Sequence, residues 1–200
     1  MRIVVATHND HKVAELQRIL ADDLPEAALE AYEGPEAVED GVTFAENALI
    51  KAREAFEETG IASIADDSGI AVDALEGAPG IFSARYAGTR DDRDNLELLL
   101  RNLEGVADRG AAFVCAAAYV DGERELVEMG VWRGSVLEAP AGTGGFGYDP
   151  IFQPDDAPVS AAELSAEEKD ALSHRRRAFR ALAAVLAAPS APAAPAASAD

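Results

Sequence analysis

The sequence has few cysteines, few lysines and no long apolar runs. Among its 200 residues is one cysteine, Cys115, so an internal disulfide framework is excluded and a reducing compartment is expected. No apolar run reaches the roughly 20 residues that a membrane-spanning helix needs, and the apolar run at residues 2–6 is too short for a secretory signal. These absences predict a cytoplasmic protein that does not bind a membrane. Cys115 lies in an apolar run without a nearby histidine, which favours a small buried hydrophobe over a catalytic thiol.

Positive charge is also scarce. The chain has 37 acidic and 17 basic residues and a formal net charge of -20, which argues against the basic surface that nucleic-acid binding requires. Only three of the basic residues are lysines: Lys12, Lys51 and Lys169. A lysine is a compact point charge that suits a phosphate oxygen, whereas arginine is a planar fork. The three lysines are therefore candidate ligand contacts, although their retention by chance is the alternative.

The hydrophobic pattern predicts an α/β protein with a single domain over residues 1–188, in which two lobes are possible. Strands are expected at 2–6, 28–32, 61–65, 70–72, 111–120 and 125–136, the last two as a hairpin. Helices are expected at about 10–21, 43–59, 89–103, after Ser165, and from about 173 to 188. Residues 189–200 are almost entirely Ala, Pro and Ser, so this tail is expected to be disordered.

The first candidate site is the run from Asp66 to Gly69, which follows a predicted buried strand. Adjacent side chains of an extended chain point to opposite faces, so one carboxylate can be structural while the other faces a cleft. A carboxylate in a cleft can bind a divalent metal or accept a proton from water. The alternative is a simple turn, with aspartate as a cap and glycine at a positive φ.

The second candidate is the glycine-rich loop from Gly142 to Gly147. Glycines allow backbone amides to approach a phosphate closely, although neither a Walker motif nor a dinucleotide motif is present. Phe146 and Tyr148 are poorly placed for a core on such a loop and well placed to stack on a base. A flexible hairpin connection is the alternative.

Two further clusters are polar or basic. Thr7, Asn9 and Lys12 lie on a predicted strand-to-helix turn, where free N–H groups favour anions. Arg175, which follows His174, is able to donate two hydrogen bonds to the edge of a 6-oxopurine. A solvated helix face is the alternative for this basic segment. The spacing of the histidines at positions 8 and 11 matches no familiar zinc site.

Together these segments resemble the non-canonical purine nucleoside triphosphate pyrophosphatases, the inosine triphosphatase-like enzymes. Six segments in the family's order carry the resemblance, which extends from residue 2 to about 187: 7–12, 43–48 with Lys51, 65–73, 77–88, 140–152 and 162–175. The resemblance implies an elongated α/β fold with a long mixed sheet, a cleft between two lobes and a homodimer. It also implies magnesium-dependent hydrolysis of ITP, dITP and XTP to the monophosphate and pyrophosphate.

The resemblance assigns roles to individual residues. Asp67 and Lys51 are the implied catalytic residues, and Glu39 and Asp67 the implied Mg²⁺ ligands. The implied substrate contacts are Thr7, His8, Asn9, Asp10, His11, Lys12 and Ser68 and, around the base and sugar, Phe146, Gly147, Tyr148, Asp149, Lys169, His174 and Arg175.

Three other functions share some of these features. A pyrophosphatase for modified pyrimidines and a nucleotidyl transferase would use the same metal and phosphate chemistry. A nucleotide-binding regulator would not turn its ligand over. The Asp66-Asp67 pair argues against the regulator, because a carboxylate beside a phosphate does not favour simple binding.

Overall fold

The computed structural model describes residues 1–8 and 10–188, apart from the side chains of residues 10 and 11. Asn9 and the predicted disordered tail at 189–200 lie outside the described residues, as do the side chains of Asp10 and His11. The strands are β1 Arg2–Val5, β2 Ala28–Ala31, β3 Ser63–Val72, β4 Gly110–Val120, β5 Glu125–Val136 and β6 Phe152–Pro154. The helices are α1 Asp10–Leu20, α2 Phe44–Thr59, α3 Asp92–Asn102, α4 Ala166–Leu172 and α5 His174–Ala187.

The strands form one mixed sheet in the order β2-β1-β3-β4-β5-β6. Strand β1 is parallel to β2 and β3, whereas the pairs β3–β4, β4–β5 and β5–β6 are antiparallel. The predicted mixed α/β sheet is therefore confirmed. Capping boxes begin α2 and α4, where Thr43 pairs with Glu46 and Ser165 with Glu168.

One strand prediction was wrong. The sequence indicated a strand that ended before Asp66 and a second one from Ile70, but β3 is continuous from Ser63 to Val72. All ten of its residues pair with β4, from Ser63 opposite Val120 to Val72 opposite Ala111. The two aspartates are therefore strand residues and not turn residues, because the long neighbouring strand supplies hydrogen-bond partners through the polar segment.

Helices cover both faces of β3. On one face α1 and α5 pack over a cluster that includes Ile3, Ile64 and Cys115. On the other face α2 packs its alanines against alanines of β3 and β4: Ala48, Ala52, Ala55, Ala65, Ala116 and Ala118. Small side chains on both surfaces let α2 lie close to the sheet, which sets its polar residues within reach of β3.

A third apolar cluster lies at the far end of the sheet and forms the second lobe. It joins Leu96 and Leu99 of α3, and Leu103 directly after α3, to Ile70 and Trp132. Beyond the end of β3, a 3₁₀ helix at Gly80–Arg85 returns to the strand. A Cβ at Gly69 would overlap Ser83 and the carbonyl of Gly80, so glycine permits this close approach. The segment 66–69 thus lies between the two lobes.

Candidate active site

Two cavities meet beside β3, and Lys12 and Ala84 line both. The first, of about 350 Å³, includes Thr7, His8, Glu39 and Lys51 in its walls. The second, of about 430 Å³, is lined by most of the residues expected around a base: Ser68, Phe146, Gly147, Tyr148, Asp149, Lys169, His174 and Arg175. The predicted site residues whose side chains the structure describes therefore line one of two adjoining cavities, except Asp67, which lies behind the first cavity and contacts Lys51 in its wall.

Asp67 lies on the face of β3 that α2 covers. Its side chain is largely buried and accepts a hydrogen bond of 3.1 Å from Nδ2 of Asn47. Lys51 Nζ lies 3.6 Å from Oδ1 of Asp67 and 2.6 Å from Oε1 of Glu39. Asn47 and Lys51 are four residues apart on α2, so they share the helix face that is turned toward Asp67. The Lys51 ammonium consequently lies between the two carboxylates.

The charges of this cluster shift the pKa values in it. Burial raises the pKa of Asp67; the Lys51 ammonium opposes this shift, and the charge of Glu39 adds to it. Burial would lower the pKa of Lys51, but the carboxylates of Asp67, Asp66 and Glu39 outweigh burial and raise it. Lys51 is therefore a firmly charged lysine, and Asp67 is a stronger base than an ordinary aspartate.

Glu39 and Asp67 also fit the chemistry of a magnesium site. The residues that the structure describes contain no group of three or more His, Cys, Asp or Glu side chains that could hold a metal. Mg²⁺ needs no such group, because it commonly takes one or two carboxylates and completes its shell with water and phosphate oxygens. Both carboxylates already contact one cation, the Lys51 ammonium. Their hard oxygen atoms and their excess negative charge suit Mg²⁺.

Asp66 lies on the opposite face of β3, as expected for adjacent strand residues. Lys12 Nζ is 3.2 Å from both carboxylate oxygens, and Arg175 donates from Nε and Nη2 to Oδ2 at 3.2 and 3.1 Å. Burial would raise the pKa of Asp66, but the Lys12 and Arg175 cations outweigh burial and hold it far below its usual range. Asp66 is thus an ionised anchor and not a proton acceptor.

Arg175 is almost completely buried, at 1% exposed. Besides Asp66 it donates from Nη1 to Glu15 at 2.8 Å and from Nη2 to Ser68 Oγ at 3.0 Å. These contacts use four of its five N–H groups. Two hydrogen bonds to a base edge therefore require the guanidinium to release a partner, a constraint that the sequence did not indicate.

Phe146, a residue that is 40% exposed, forms part of the wall of the second cavity, which is called the base cavity below after the ligand group expected there. Lys169 Nζ lies 4.6 Å from the centre of this ring, and Arg175 Cζ lies 5.8 Å from it. Lys169 also forms a buried ion pair with Asp149. Phe146 therefore lines the cavity and is partly exposed, and its stacking on a base stays a prediction.

The predicted stacking position of Tyr148 was wrong. Tyr148 is 5% exposed, belongs to the third apolar cluster and donates its hydroxyl to the carbonyl of Ser83 at 2.8 Å. A tyrosine can be buried in this way because its only polar group finds a partner. Tyr148 therefore fixes the glycine-rich loop to the 3₁₀ helix, although it also lines the second cavity.

The glycine-rich loop does not form the phosphate cradle that its composition suggested. The backbone N–H of Phe146 donates to Asp149 at 2.8 Å, and that of Gly147 donates to Asp92 at 2.8 Å. Two amides that were candidates for an anion are thus occupied by carboxylates. The loop lines the cavity of Lys169 and His174 and not the one that contains Lys51.

His174 is buried against aromatic rings. Its ring stacks on Phe113 at 4.8 Å between centroids, and its Nδ1 atom has no hydrogen-bond partner among the described residues. Burial lowers the pKa of His174 well below its usual value, and the charges of Arg175 and Lys169 lower it further. The imidazole is therefore neutral at pH 7 and can present a ring nitrogen to a ligand.

The turn after β1 supplies Thr7 and His8 to the first cavity, and the start of α1 supplies Lys12. His8 Nε2 lies 2.8 Å from the carbonyl oxygen of Gly34, which ties the turn to the loop after β2. The predicted contacts through Asn9, Asp10 and His11 fall on the residue and side chains that the structure does not describe.

Sequence reasoning missed several residues of the cleft. Glu15 pairs with Arg175, and Asn47 donates to Asp67. Helical spacing could have identified both, because Glu15 lies three residues after Lys12 and Asn47 four residues before Lys51. Tyr32, Glu36 and Arg90 also line the first cavity, and no local signal marks them.

Comparison with known proteins settles the family. The model of the Ham1 family matches residues 3–185. The chain belongs to the Ham1 family. It is 55% identical over 190 residues to a Streptomyces coelicolor protein named dITP/XTP pyrophosphatase, an alignment that covers 90% of this chain and 94% of that relative. A Leifsonia xyli protein of the same name is 54% identical over 187 residues, with 91% and 94% covered.

Solved structures of Ham1 proteins share the fold. A Ham1 protein from Coxiella burnetii matches with a TM-score of 0.85 and 42% identity and covers 93% of this chain and 98% of its own. A nucleoside-triphosphatase named dITP/XTP pyrophosphatase, from Mycobacterium abscessus, matches with a TM-score of 0.74 and 49% identity, with 94% and 98% covered. The two-lobed α/β architecture expected from the sequence is therefore confirmed.

Proposed function

We propose that this protein hydrolyses non-canonical purine nucleoside triphosphates, among them ITP, dITP and XTP, to the monophosphate and pyrophosphate. The observation that carries the proposal is the cluster of Asp67, Lys51 and Glu39 beside a cavity lined by Phe146 and Lys169. The first group suits phosphate chemistry and the second suits a base. The names of the Streptomyces and Mycobacterium relatives support the same reaction.

In the proposed reaction water attacks the α-phosphorus and pyrophosphate leaves. Asp67 accepts the proton of the water, a role supported by its raised pKa and by its contact with Lys51, which lines the first cavity. Lys51 and Lys12 bind phosphate oxygens and stabilise the charge that develops on the leaving group. Glu39 and Asp67 would hold the magnesium ion, which supplies charge neutralisation at the phosphates when bound.

The base cavity supports selectivity by hydrogen bonding. Lys169 and Arg175 offer donors to the 6-oxo group of hypoxanthine or xanthine. Adenine presents an amino group at the same position, so donors would face donors. A buried donor without a partner costs roughly 1–3 kcal/mol, which disfavours ATP.

The test is a product assay with Mg²⁺ and ITP, XTP, GTP or ATP, run on the wild-type protein, Asp67→Asn and a control, Asp22→Asn. Asp22 is an exposed aspartate outside the cleft. We expect pyrophosphate from ITP and XTP, little product from ATP, and a kcat in Asp67→Asn that is about 10²- to 10⁴-fold lower, the range typical for loss of a general base. Asp22→Asn should match the wild type.

Other products would point to the alternatives. Orthophosphate in place of pyrophosphate, or full activity in Asp67→Asn, would contradict the reaction and the role of Asp67. A preference for modified pyrimidines would indicate the related pyrimidine pyrophosphatase. Tight ITP binding without any turnover would indicate a regulator.

Three further features belong to the proposal. We infer that the catalytic domain is residues 1–188, that it acts as a homodimer, as the family resemblance implies, and that it works in the cytoplasm. The single cysteine, which is buried, supports a reducing compartment. Over the described residues, no helix is long and apolar enough to cross a membrane. Sedimentation velocity of the full chain measures the oligomeric state.

A further inference from the structure

An exposed ion pair crosses the mouth of the first cavity. Arg90 Nη1 lies 3.0 Å from Glu36 Oε1, and the two side chains are 76% and 68% exposed. Glu36 belongs to the loop between β2 and α2, whereas Arg90 precedes α3 in the second lobe. The pair therefore links the two walls of the cleft across the opening through which a nucleotide would enter.

Both residues line the cavity that also contains Lys12 and Lys51. The hydrogen bond and charge of Arg90 lower the pKa of Glu36, and the charges of His8 and Lys51 lower it further. Glu36 raises the pKa of Arg90, and the charge of Glu39 adds to this. Arg90 and Glu36 are thus part of the same electrostatic site as the proposed phosphate-binding lysines.

The cationic side chains that line the first cavity differ in how strongly neighbouring carboxylates bind them. Lys12 and Lys51 are largely buried and contact Asp66 and the Glu39–Asp67 pair. The ion pair of Arg90 is exposed, and pairs of this kind stabilise little because water and salt screen them. A multiply charged triphosphate would therefore displace Glu36 from Arg90 more readily than it would displace the partners of the lysines. Arginine is also well shaped to bind phosphate oxygens through two N–H groups.

The position of Arg90 indicates which phosphate it would reach. The base cavity joins the first cavity at Lys12 and Ala84, and Arg90 lines only the first. With the base beside Phe146 and the α-phosphate near Asp67, the end of the triphosphate extends away from this junction. Arg90 then faces the terminal phosphate, which a nucleoside diphosphate lacks.

We propose that Arg90 is a substrate-binding residue that exchanges Glu36 for the terminal phosphate and thereby favours triphosphates over diphosphates. This inference rests on the proposed function, since it takes the first cavity as the triphosphate site. Glu36 competes with the substrate for Arg90 and keeps the arginine at the cleft mouth when no nucleotide is bound.

The test compares Arg90→Ala and Glu36→Gln with Arg93→Ala as the matched control. Arg93 lies three residues further along, is 85% exposed on its side chain and pairs with Glu97 outside the first cavity. For Arg90→Ala we expect the KM for ITP to rise about tenfold, as for loss of one charge-assisted phosphate contact, with kcat within about twofold. The inhibition constant of IDP should change less than about twofold, because IDP has no terminal phosphate for Arg90.

For Glu36→Gln we expect the KM for ITP to change in the opposite direction. Removing the competing carboxylate should lower the KM for ITP about two- to threefold, because Arg90 no longer has to leave an ionic partner. If Glu36→Gln raises the KM as Arg90→Ala does, the pair is a structural strap and the proposal is overturned. The same holds if Arg90→Ala and Arg93→Ala behave alike, or if IDP and ITP weaken equally in Arg90→Ala.

Binding of inorganic tripolyphosphate, measured by calorimetry on the full chain, separates this proposal from the proposed function. If the wild type released no pyrophosphate from any nucleotide, the proposed function would fail, but the calorimetry would still test Arg90. Arg90→Ala should weaken tripolyphosphate binding about tenfold and inorganic pyrophosphate binding less. Equal affinities in the wild type and Arg90→Ala would refute the role of Arg90 whatever the reaction is.

Discussion

The two faces of β3 differ sharply in electrostatics, although the residues that define them are adjacent in sequence. On the α5 face, the charges of Lys12 and Arg175 overcome burial and lower the pKa of Asp66. On the α2 face, burial and the charge of Glu39 raise the pKa of Asp67 in spite of Lys51. Two neighbouring aspartates of one strand therefore differ. Asp66 is an ionised anchor, whereas Asp67 is a carboxylate with a raised pKa.

The difference arises from the number and geometry of the cations. Asp66 receives two cations within hydrogen-bond distance, and Arg175 is itself held by Glu15. Asp67 has one cation at 3.6 Å, which is closer to Glu39 than to Asp67. A buried carboxylate with matched partners contributes to stability, whereas one with incomplete partners is available for a proton, a metal or a substrate. The Asp66 face, here called the anchored face, borders the base cavity, and the Asp67 face carries the proposed chemistry.

The largest expected effect is that substitution of Asp66 lowers stability, whereas substitution of Asp67 lowers turnover and not stability. Asp66→Asn should lower the free energy of unfolding by about 3 kcal/mol, because it leaves Arg175 buried with one fewer ionic partner. Asp67→Asn should leave stability unchanged or higher, because the raised pKa means that ionised Asp67 is disfavoured in the folded protein. Urea unfolding at pH 7, together with the ITP assay, measures both.

The same pair of variants can break the comparison. Asp22→Asn, on the surface, should change neither stability nor rate. If Asp66→Asn is as stable as the wild type, or if Asp67→Asn loses the stability expected of Asp66→Asn, then the anchored and reactive faces have been assigned the wrong way round.

The sequence could predict that the two aspartates face opposite sides of the sheet, but not which of them is the ionised anchor. Alternation along a strand predicts that Asp66 and Asp67 face opposite ways, and the structure confirms it. Which of them meets Arg175 depends on how α5, more than 100 residues later, packs on the sheet. Gly130 permits that packing, because a Cβ there would overlap the backbone of α5 at His174 and Ala178. Local helices, caps and the β4–β5 hairpin were predictable, since their signals lie within a few residues.

Dependence on distant parts of the fold also explains why the predictions for Tyr148 and for the end of the strand before Asp66 were wrong. Tyr148 follows a glycine-rich loop, and only the tertiary fold provides the Ser83 carbonyl that allows its burial. Continuation of β3 through the aspartates depends on pairing with β4, which a reading of residues 61–72 alone does not reveal. The family resemblance named residues of the cleft but could not show that Arg175 is already bonded to three side chains.

An effect of intermediate size is expected on the KM for ITP when the glycine-rich loop, which lines the base cavity, is disturbed. Gly145 has φ of 69°, and a Cβ there would overlap the carboxylate of Asp149, which holds both Lys169 and the Phe146 amide. Gly145→Ala should therefore raise the KM for ITP about tenfold while kcat stays within about twofold, since it disturbs base binding and leaves Asp67 in place. Steady-state kinetics with ITP measure both values.

Gly105→Ala is the matched control for this variant. Gly105 has a similar φ of 73° but no atom within 4 Å of an added Cβ. It carries the same backbone strain, roughly 1 kcal/mol, without contact to the site. Equal kinetics in the two variants would show that the loop does not position the base cavity through Asp149.

The smallest effect is a pH dependence from His174, also on the anchored side. Its pKa is lowered in the folded protein by burial first and then by the charges of Arg175, Lys169 and Lys12, against an opposite effect of Asp66. Protonation therefore favours the unfolded chain: stability is full above the unfolded pKa of about 6.5 and is lost as pH falls below it. By pH 5.5 this one group should cost on the order of 1 kcal/mol relative to pH 7.5.

Denaturant unfolding of the wild type, His174→Phe and His174→Gln at these two pH values isolates this contribution. Neither variant titrates at position 174, so between pH 7.5 and 5.5 both should lose less stability than the wild type, by on the order of 1 kcal/mol. Two variants are needed, because phenylalanine tests the loss of the charge with the stacking on Phe113 retained, and glutamine tests it with a polar group retained. Identical pH dependence in all three proteins would mean that His174 accepts a proton in the folded state. The anchored face would then tolerate a third cation beside Lys169 and Arg175, and its electrostatic contrast with the Asp67 face would be smaller than the geometry indicates.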